Sequence, residues 1–167
     1  SEALYWLEQS ARNGDPRGQY ALGTWYLKRG NVQNALRWLT AAADLGSSTA
    51  QYRLGVLYLK GEQVEKNWEL AVRYLTASAV RGNQYAQYTL GSLYHSGDGV
   101  SRDEALGREW LSCSAAQGNP YAQHLLDHPG QNWSIAAQSV TRLLYHMSRI
   151  FEDNCKTDVM HLSLIHI

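Results

Sequence analysis

Apolar residues recur along the first 128 positions with a helical period, in paired segments parted by short polar breaks. In Ala50-Gln51-Tyr52-Arg53-Leu54-Gly55-Val56-Leu57-Tyr58, Leu54 and Tyr58 fall at i, i+4 and share one face. In Glu69-Leu70-Ala71-Val72-Arg73-Tyr74-Leu75-Thr76-Ala77-Ser78-Ala79, a stripe of apolar or small residues runs through Ala71, Tyr74, Leu75, Ser78 and Ala79. The two segments predict a helical hairpin, and the hairpin repeats. Gly14, Gly46, Gly82 and Gly118 lie 32, 36 and 36 residues apart, and Leu22-Gly23, Leu54-Gly55 and Leu90-Gly91 keep the same phase, with Leu126 in a shorter copy. Trp6, Trp38, Tyr74 and Trp110 form a further series, as do Tyr26, Tyr58 and Tyr94, and Ala11, Ala43, Ala79 and Ala115. So many coincident series at one spacing predict a stack of like units.

Punctuation agrees with the pattern. Gly14, Gly46, Gly82 and Gly118 stand just beyond the second segments, where a left-handed helix end favours a residue without Cβ. Asp15-Pro16 and Asn119-Pro120 then read as a capping residue followed by Pro at the first helical position. Gly23, Gly55 and Gly91 need another reason, because a glycine inside a helix costs about 1 kcal/mol relative to Ala. Their common phase predicts close approach of the paired helix through space left by its Ala and Ser stripe. Gln19, Gln51, Gln87 and Gln123 also share a phase, which predicts a structural hydrogen bond. A specific partner would rarely want four identical contacts.

These residues resemble the Sel1-like repeat, a relative of the tetratricopeptide repeat. The shared pattern is Ala-x-x-x-Leu-Gly-x-x-Tyr, Gly-x-Gly-Val-x-x-Asp, Ala-x-x-Trp and Ala-Ala-x-x-Gly. The third unit carries its middle part most fully, as Ser96-Gly97-Asp98-Gly99-Val100-Ser101-Arg102-Asp103, and ends in Ala115-Ala116-Gln117-Gly118-Asn119. The second unit writes the loop Lys60-Gly61-Glu62-Gln63-Val64-Glu65-Lys66-Asn67, without one Gly and the Asp. The first has only Lys28-Arg29-Gly30-Asn31, a shorter, tetratricopeptide-like turn, and Gly107 replaces an Ala in the third unit. The resemblance covers about residues 1–128. It implies an all-α, right-handed α-solenoid over 1–130, made of a half repeat, three full repeats and a half repeat. It also implies a concave face that holds a protein or peptide. Stacked hairpins expose an extended curved surface and form no deep pocket where catalytic groups converge.

Beyond the repeats, Val140, Leu143, Leu144, Met147, Ile150 and Phe151 fall at i, i+3, i+4, i+7, i+10 and i+11. They predict an amphipathic helix over about 133–152, within a segment 131–152, suited to covering the open end of the array or, alternatively, to docking a partner. The stretch 139–151 is also similar to segments that follow Sel1-like repeats near the C-terminus of bacterial mobilisation relaxases. That implies a DNA-nicking parent of which these repeats are an accessory region, although no relaxase catalytic motif is present. The tail 153–167 shows no repeat phase, and Leu162-Ser163-Leu164-Ile165-His166-Ile167 resembles translated adapter sequence. The chain opens at Ser1 within a helical pattern and reads as a fragment.

Composition narrows the function further. Ala, Leu, Tyr and Trp supply the apolar content, there is one Phe, and helix formers outweigh strand formers. Fifteen Lys and Arg balance 15 Asp and Glu, which disfavours nucleic acid as a partner; Arg142, His146 and Arg149 are the exception that keeps a DNA-holding role as a rival. No apolar run approaches the roughly 20 residues that span a bilayer. Cys113 and Cys155 make neither a disulfide framework nor a metal pair, and a bacterial cytoplasmic location is expected.

No cofactor or small-molecule substrate is expected. Acyl transfer of the Ser-x-x-Lys type fails, because none of Lys28, Lys60, Lys66 and Lys156 has a Ser three residues before it. No Gly-x-x-x-x-Gly-Lys nucleotide loop occurs. His124 and His128 at i, i+4 could offer two zinc ligands, but no His-Glu-x-x-His follows and they read as repeat and helix-end positions. Cys113 is in register with Ala41 and Ala77 and is expected to be a small buried filler. Candidate partner-binding residues are the off-stripe positions of the first helices: Trp25, Lys28, Arg53, Lys60, Thr89 and His95. Trp25 can equally pack inside the stack, since its register partners are Leu57 and Leu93.

Overall fold

The computed structural model describes residues 2–129. They form an α-solenoid of eight helices: α1 (Glu2–Arg12), α2 (Pro16–Lys28), α3 (Val32–Asp44), α4 (Ser48–Lys60), α5 (Trp68–Val80), α6 (Gln84–Ser96), α7 (Glu104–Ala116) and α8 (Pro120–Asp127). There is no strand among the described residues. The helix expected over about 133–152, and the tail after it, lie outside them. Helices α2, α4, α6 and α8 are the first, or A, helices of successive units, and α1, α3, α5 and α7 are the second, or B, helices.

Each junction between units turns on one residue with two jobs. After α3 the chain enters Gly46 at φ 86°, and the next backbone N–H, from Ser47, bonds the carbonyl of Ala42 at 3.0 Å. That closes the helix end. The Ser47 hydroxyl then accepts the N–H of Ala50 at 3.2 Å and opens α4. Asp15, Asn83 and Asn119 repeat both bonds, back to Ser10, Ser78 and Ser114 and forward to Arg17, Tyr85 and Tyr121. The glycines before them have φ of 80°, 87° and 88°, as the sequence pattern predicts.

Within each hairpin the helices meet at the in-helix glycine. A Cβ built on Gly55 would lie 2.7 Å from Leu75 Cγ and 3.2 Å from the Leu75 backbone nitrogen. Gly23 stands in the same relation to Leu39, and Gly91 to Leu111. The expected space left by an Ala and Ser stripe is therefore corrected: a leucine of the B helix seats itself on the glycine. Leu39, Leu75 and Leu111 are buried. In the third unit Gly107 brings the backbones closer still, its own Cβ position falling 2.8 Å from the carbonyl oxygen of Gly91.

Polar side chains close the remaining gaps. Ser78 Oγ donates to the Ser48 carbonyl at 2.6 Å, and Ser114 Oγ to that of Gln84 at 2.7 Å, tying each B helix to the first turn of its A helix. Gln19, Gln51 and Gln87 each donate Nε2 to a carbonyl eight residues earlier, those of Ala11, Ala43 and Ala79, at 3.3, 3.0 and 3.1 Å. These bonds bear out the structural role: each clips an A helix to a carbonyl that also accepts the N–H of the junction glycine, Gly14, Gly46 or Gly82. Gln123 departs from the series and donates to Asp127 instead.

Gly55→Leu is expected to lower stability by on the order of 3 kcal/mol, the upper end of overpacking costs. Gly82→Ala should cost about 1 kcal/mol, from left-handed backbone alone, because no atom stands within 4 Å of its Cβ position. Thermal or urea unfolding of the two variants checks the ranking; equal losses would refute the packing account.

Candidate functional site

A tyrosine-rich row runs along the A layer, built from two positions in each helix. The second residues are Arg17, Thr49, Tyr85 and Tyr121, and the fifth are Tyr20, Tyr52, Tyr88 and His124. The fifth residue of one A helix leans on the second residue of the next: the rings of Tyr52 and Tyr85 are 6.2 Å apart, and those of Tyr88 and Tyr121 are 6.4 Å apart. Tyr52 also shares a side-chain hydrogen bond with Thr89, and Arg53 stands close enough to Tyr52 to favour its ionised form. Tyr20, Tyr52, Arg53, Tyr85 and Thr89 thus join three helices in one cluster. Burial dominates the chemistry of its tyrosines. It pushes the Tyr52 phenol far above its ordinary range, and it raises that of Tyr88 to about 12.

A match to the Sel1 repeat model spans residues 1–15, 16–47, 48–83 and 84–119. The chain belongs to the Sel1 repeat family. Its units coincide with the hairpins: α2–α3, α4–α5 and α6–α7 are complete repeats, and α1 is the second helix of a partial one. Among solved structures, a Sel1 repeat protein from Oxalobacter formigenes is 38% identical, with a TM-score of 0.68 over 72% of this chain and 94% of that one. A protective antigen present in uropathogenic Escherichia coli strains, displaying an SLR fold, is 34% identical with a TM-score of 0.67; the match covers 72% of this chain and 27% of the antigen. Helicobacter pylori cysteine rich protein B shares the fold at 20% identity, with a TM-score of 0.59 over 72% of this chain and 94% of its own. No curated protein matches the chain. The family match ends at residue 119, so the likeness of 139–151 to relaxase tails gains nothing from it.

The six candidate residues of the Sel1 array differ in their surroundings. Lys28 is exposed and Lys60 half-buried, at the same place in the last turns of α2 and α4; Arg53 is half-buried beside Tyr52. Thr89 cannot touch a partner, which corrects its assignment. It is fully buried, and its hydroxyl donates to the Tyr85 carbonyl at 2.8 Å. Trp25 packs with Leu7, Ala11, Ala21 and Leu22, against the preceding α1 and not beneath the next hairpin. Its ring meets Tyr26 edge-on at 5.1 Å and is covered by the Arg29 guanidinium at 3.7 Å. His95 is half-buried beside α7, where burial lowers its pKa and the nearby Glu104 partly restores it.

Cys113 is exposed, a second correction. Its register partners Ala41 and Ala77 are only half-buried, and among the described residues no B helix of a further unit follows to cover it. His124 and His128 have ring centroids 4.4 Å apart, with His128 Nδ1 2.9 Å from the His124 carbonyl oxygen. No group of three or more metal-ligating side chains occurs among the described residues, and no described helix is long and apolar enough to cross a membrane. Tyr20, Tyr85 and Tyr121 escaped the sequence reading, although the phase that Tyr20 shares with Tyr52 and Tyr88, and the one that Tyr85 shares with Tyr121, are the signals that find them.

Alkaline pH tests the buried phenols. Unfolded tyrosine loses its proton near pH 10, whereas folded Tyr88 keeps it to about 12, so stability is full below pH 10 and falls as pH rises between the two. Tyr88→Phe should remove on the order of 2 kcal/mol of that fall, read from urea midpoints at pH 9 and pH 11.5. An unchanged pH slope would overturn the assignment.

Proposed function

We propose that the chain is a protein–protein interaction scaffold whose A-helix layer is the concave docking face. One observation carries this reading: the two layers are unequally buried. Eight of the 13 residues are buried in α4 and in α6, against four of 13 in α5 and three of 13 in α7. In a curved two-layer stack the inner helices crowd one another, so the more covered layer is the inner one. An inner wall of this kind presents a row of rigid, half-covered side chains to an extended partner. Tyrosine suits that duty, because it offers apolar area and a hydroxyl with little conformational entropy to lose. The Sel1 repeat family is generally one of protein-interaction scaffolds, which agrees with this role.

A finer proposal places the array as an accessory region of a bacterial mobilisation protein, in the cytoplasm. It rests on segment 139–151 alone. A free-standing adaptor in signalling or secretion is the rival, and reading the gene outward from both ends decides between them. A relaxase domain upstream supports the first, and continued repeats support the second.

A photo-cross-linking amino acid at Thr49, on the A layer, or at Arg73, on α5, tests the docking face in cells. Discrete protein adducts are expected from Thr49 and not from Arg73. The reverse pattern would place the docking face on the B layer.

A further inference from the structure

We infer that segment 133–152 closes the open end of the array as the B helix of a fifth unit, packing on α8 and α7 through large side chains where the other units use a glycine. Among the described residues, α8 is an A helix without a pair. Leu126 keeps the phase of Leu22, Leu54 and Leu90, which are fully buried, yet it is only half-buried itself. Gln123 and His124 are exposed, whereas their counterparts Gln87 and Tyr88 are buried. Helix α7 has an open flank as well. Val72, Thr76 and Ala77 of α5 are half-buried, but the same positions of α7, Arg108, Ser112 and Cys113, are exposed. Both differences mark one place, the seat of a B helix that follows α8.

The chain carries a segment suited to that seat. Linkers 29–31, 61–67 and 97–103 join the A and B helices of the three complete units. Residues 128–132 make a linker of intermediate length between α8 and the segment. The size of its apolar side chains fits too. In each B helix the leucine that rests on a glycine is flanked by small residues: Ala35 and Ala42, Ala71 and Ser78, Gly107 and Ser114. Such a stripe suits helices in close approach. In α8 the glycine position, 36 residues after Gly91, is Asp127, which holds a paired helix further away. Val140, Leu143, Leu144, Met147, Ile150 and Phe151 supply the bulk that a wider gap requires.

A second copy of the chain, or a helix from a partner, could lie on the same face. Either must compete with a segment tethered five residues away, whose effective concentration is on the order of millimolar. Covering α8 with that segment also removes its own apolar stripe from water, so one contact shields two surfaces.

Hydrogen exchange followed by mass spectrometry on the intact 167-residue chain tests this. Slow exchange is expected in both α8 and 140–151, at rates that do not depend on protein concentration. Leu143→Asp/Leu144→Asp should speed exchange in both by about tenfold or more and leave α2–α5 as they were. If α2–α5 loosen as well, Leu143→Ala/Leu144→Ala gives the same readout with less disruption. Exchange of 140–151 at the rate of a free peptide would overturn the inference and leave the segment available to a partner. So would an α8 that keeps its parental rate when the double variant releases the segment. Protection that fades on dilution would assign the open end to a second copy, and would overturn it too.

Discussion

The contact between an A-helix glycine and a B-helix leucine sets the geometry of this protein. Gly23 with Leu39, Gly55 with Leu75 and Gly91 with Leu111 bring each pair of helices closer than any side chain on the A helix would permit. The penalty of a glycine in a helix, about 1 kcal/mol, is offset by a leucine buried against backbone. Other bonds depend on that spacing. Ser78 reaches the Ser48 carbonyl, and Ser114 that of Gln84, only because the helices lie this near.

A second constraint comes from the joints. Asp15, Ser47, Asn83 and Asn119 each end one helix with a backbone N–H and begin the next with a side-chain oxygen. Sharing one residue between two caps leaves a joint with little freedom, and the glutamines clip the next A helix onto the preceding B helix at the same place. Units joined in this way repeat one kind of joint along the stack. The A layer is crowded and rich in tyrosine, and α2, α4 and α6 carry no Asp or Glu, while the B layer is more open and holds acidic residues beside its arginines.

Much of the fold is legible along the chain, because hairpin, glycine cap and capping residue are local devices that depend on neighbours within a few residues. The 32- and 36-residue phases reveal the stack as well, since each unit must offer the same face to the next. Candidate site residues are less legible. Off-stripe position places Lys28 at the surface, but it also leaves Arg53 and Lys60 half-buried. Thr89 and Trp25 sit on the same kind of position and are not available in the same way. An A helix has neighbours on both sides as well as its own B helix, and periodicity within one helix cannot tell which part of the off-stripe face another unit covers.

What the sequence by itself determined is therefore the secondary structure, the repeat and the family, all carried by short-range patterns that recur. Only the tertiary structure decided which leucine fills the space above each glycine, that Thr89 is buried against Tyr85 and Tyr52, and that Cys113 lies exposed. It also decided that the anions of the first seven helices all lie on the B layer, while their cations divide evenly between the two layers. Net charge sums over the whole chain, whereas a surface is defined by which helices share a layer, and that assignment exists only once the hairpins have stacked.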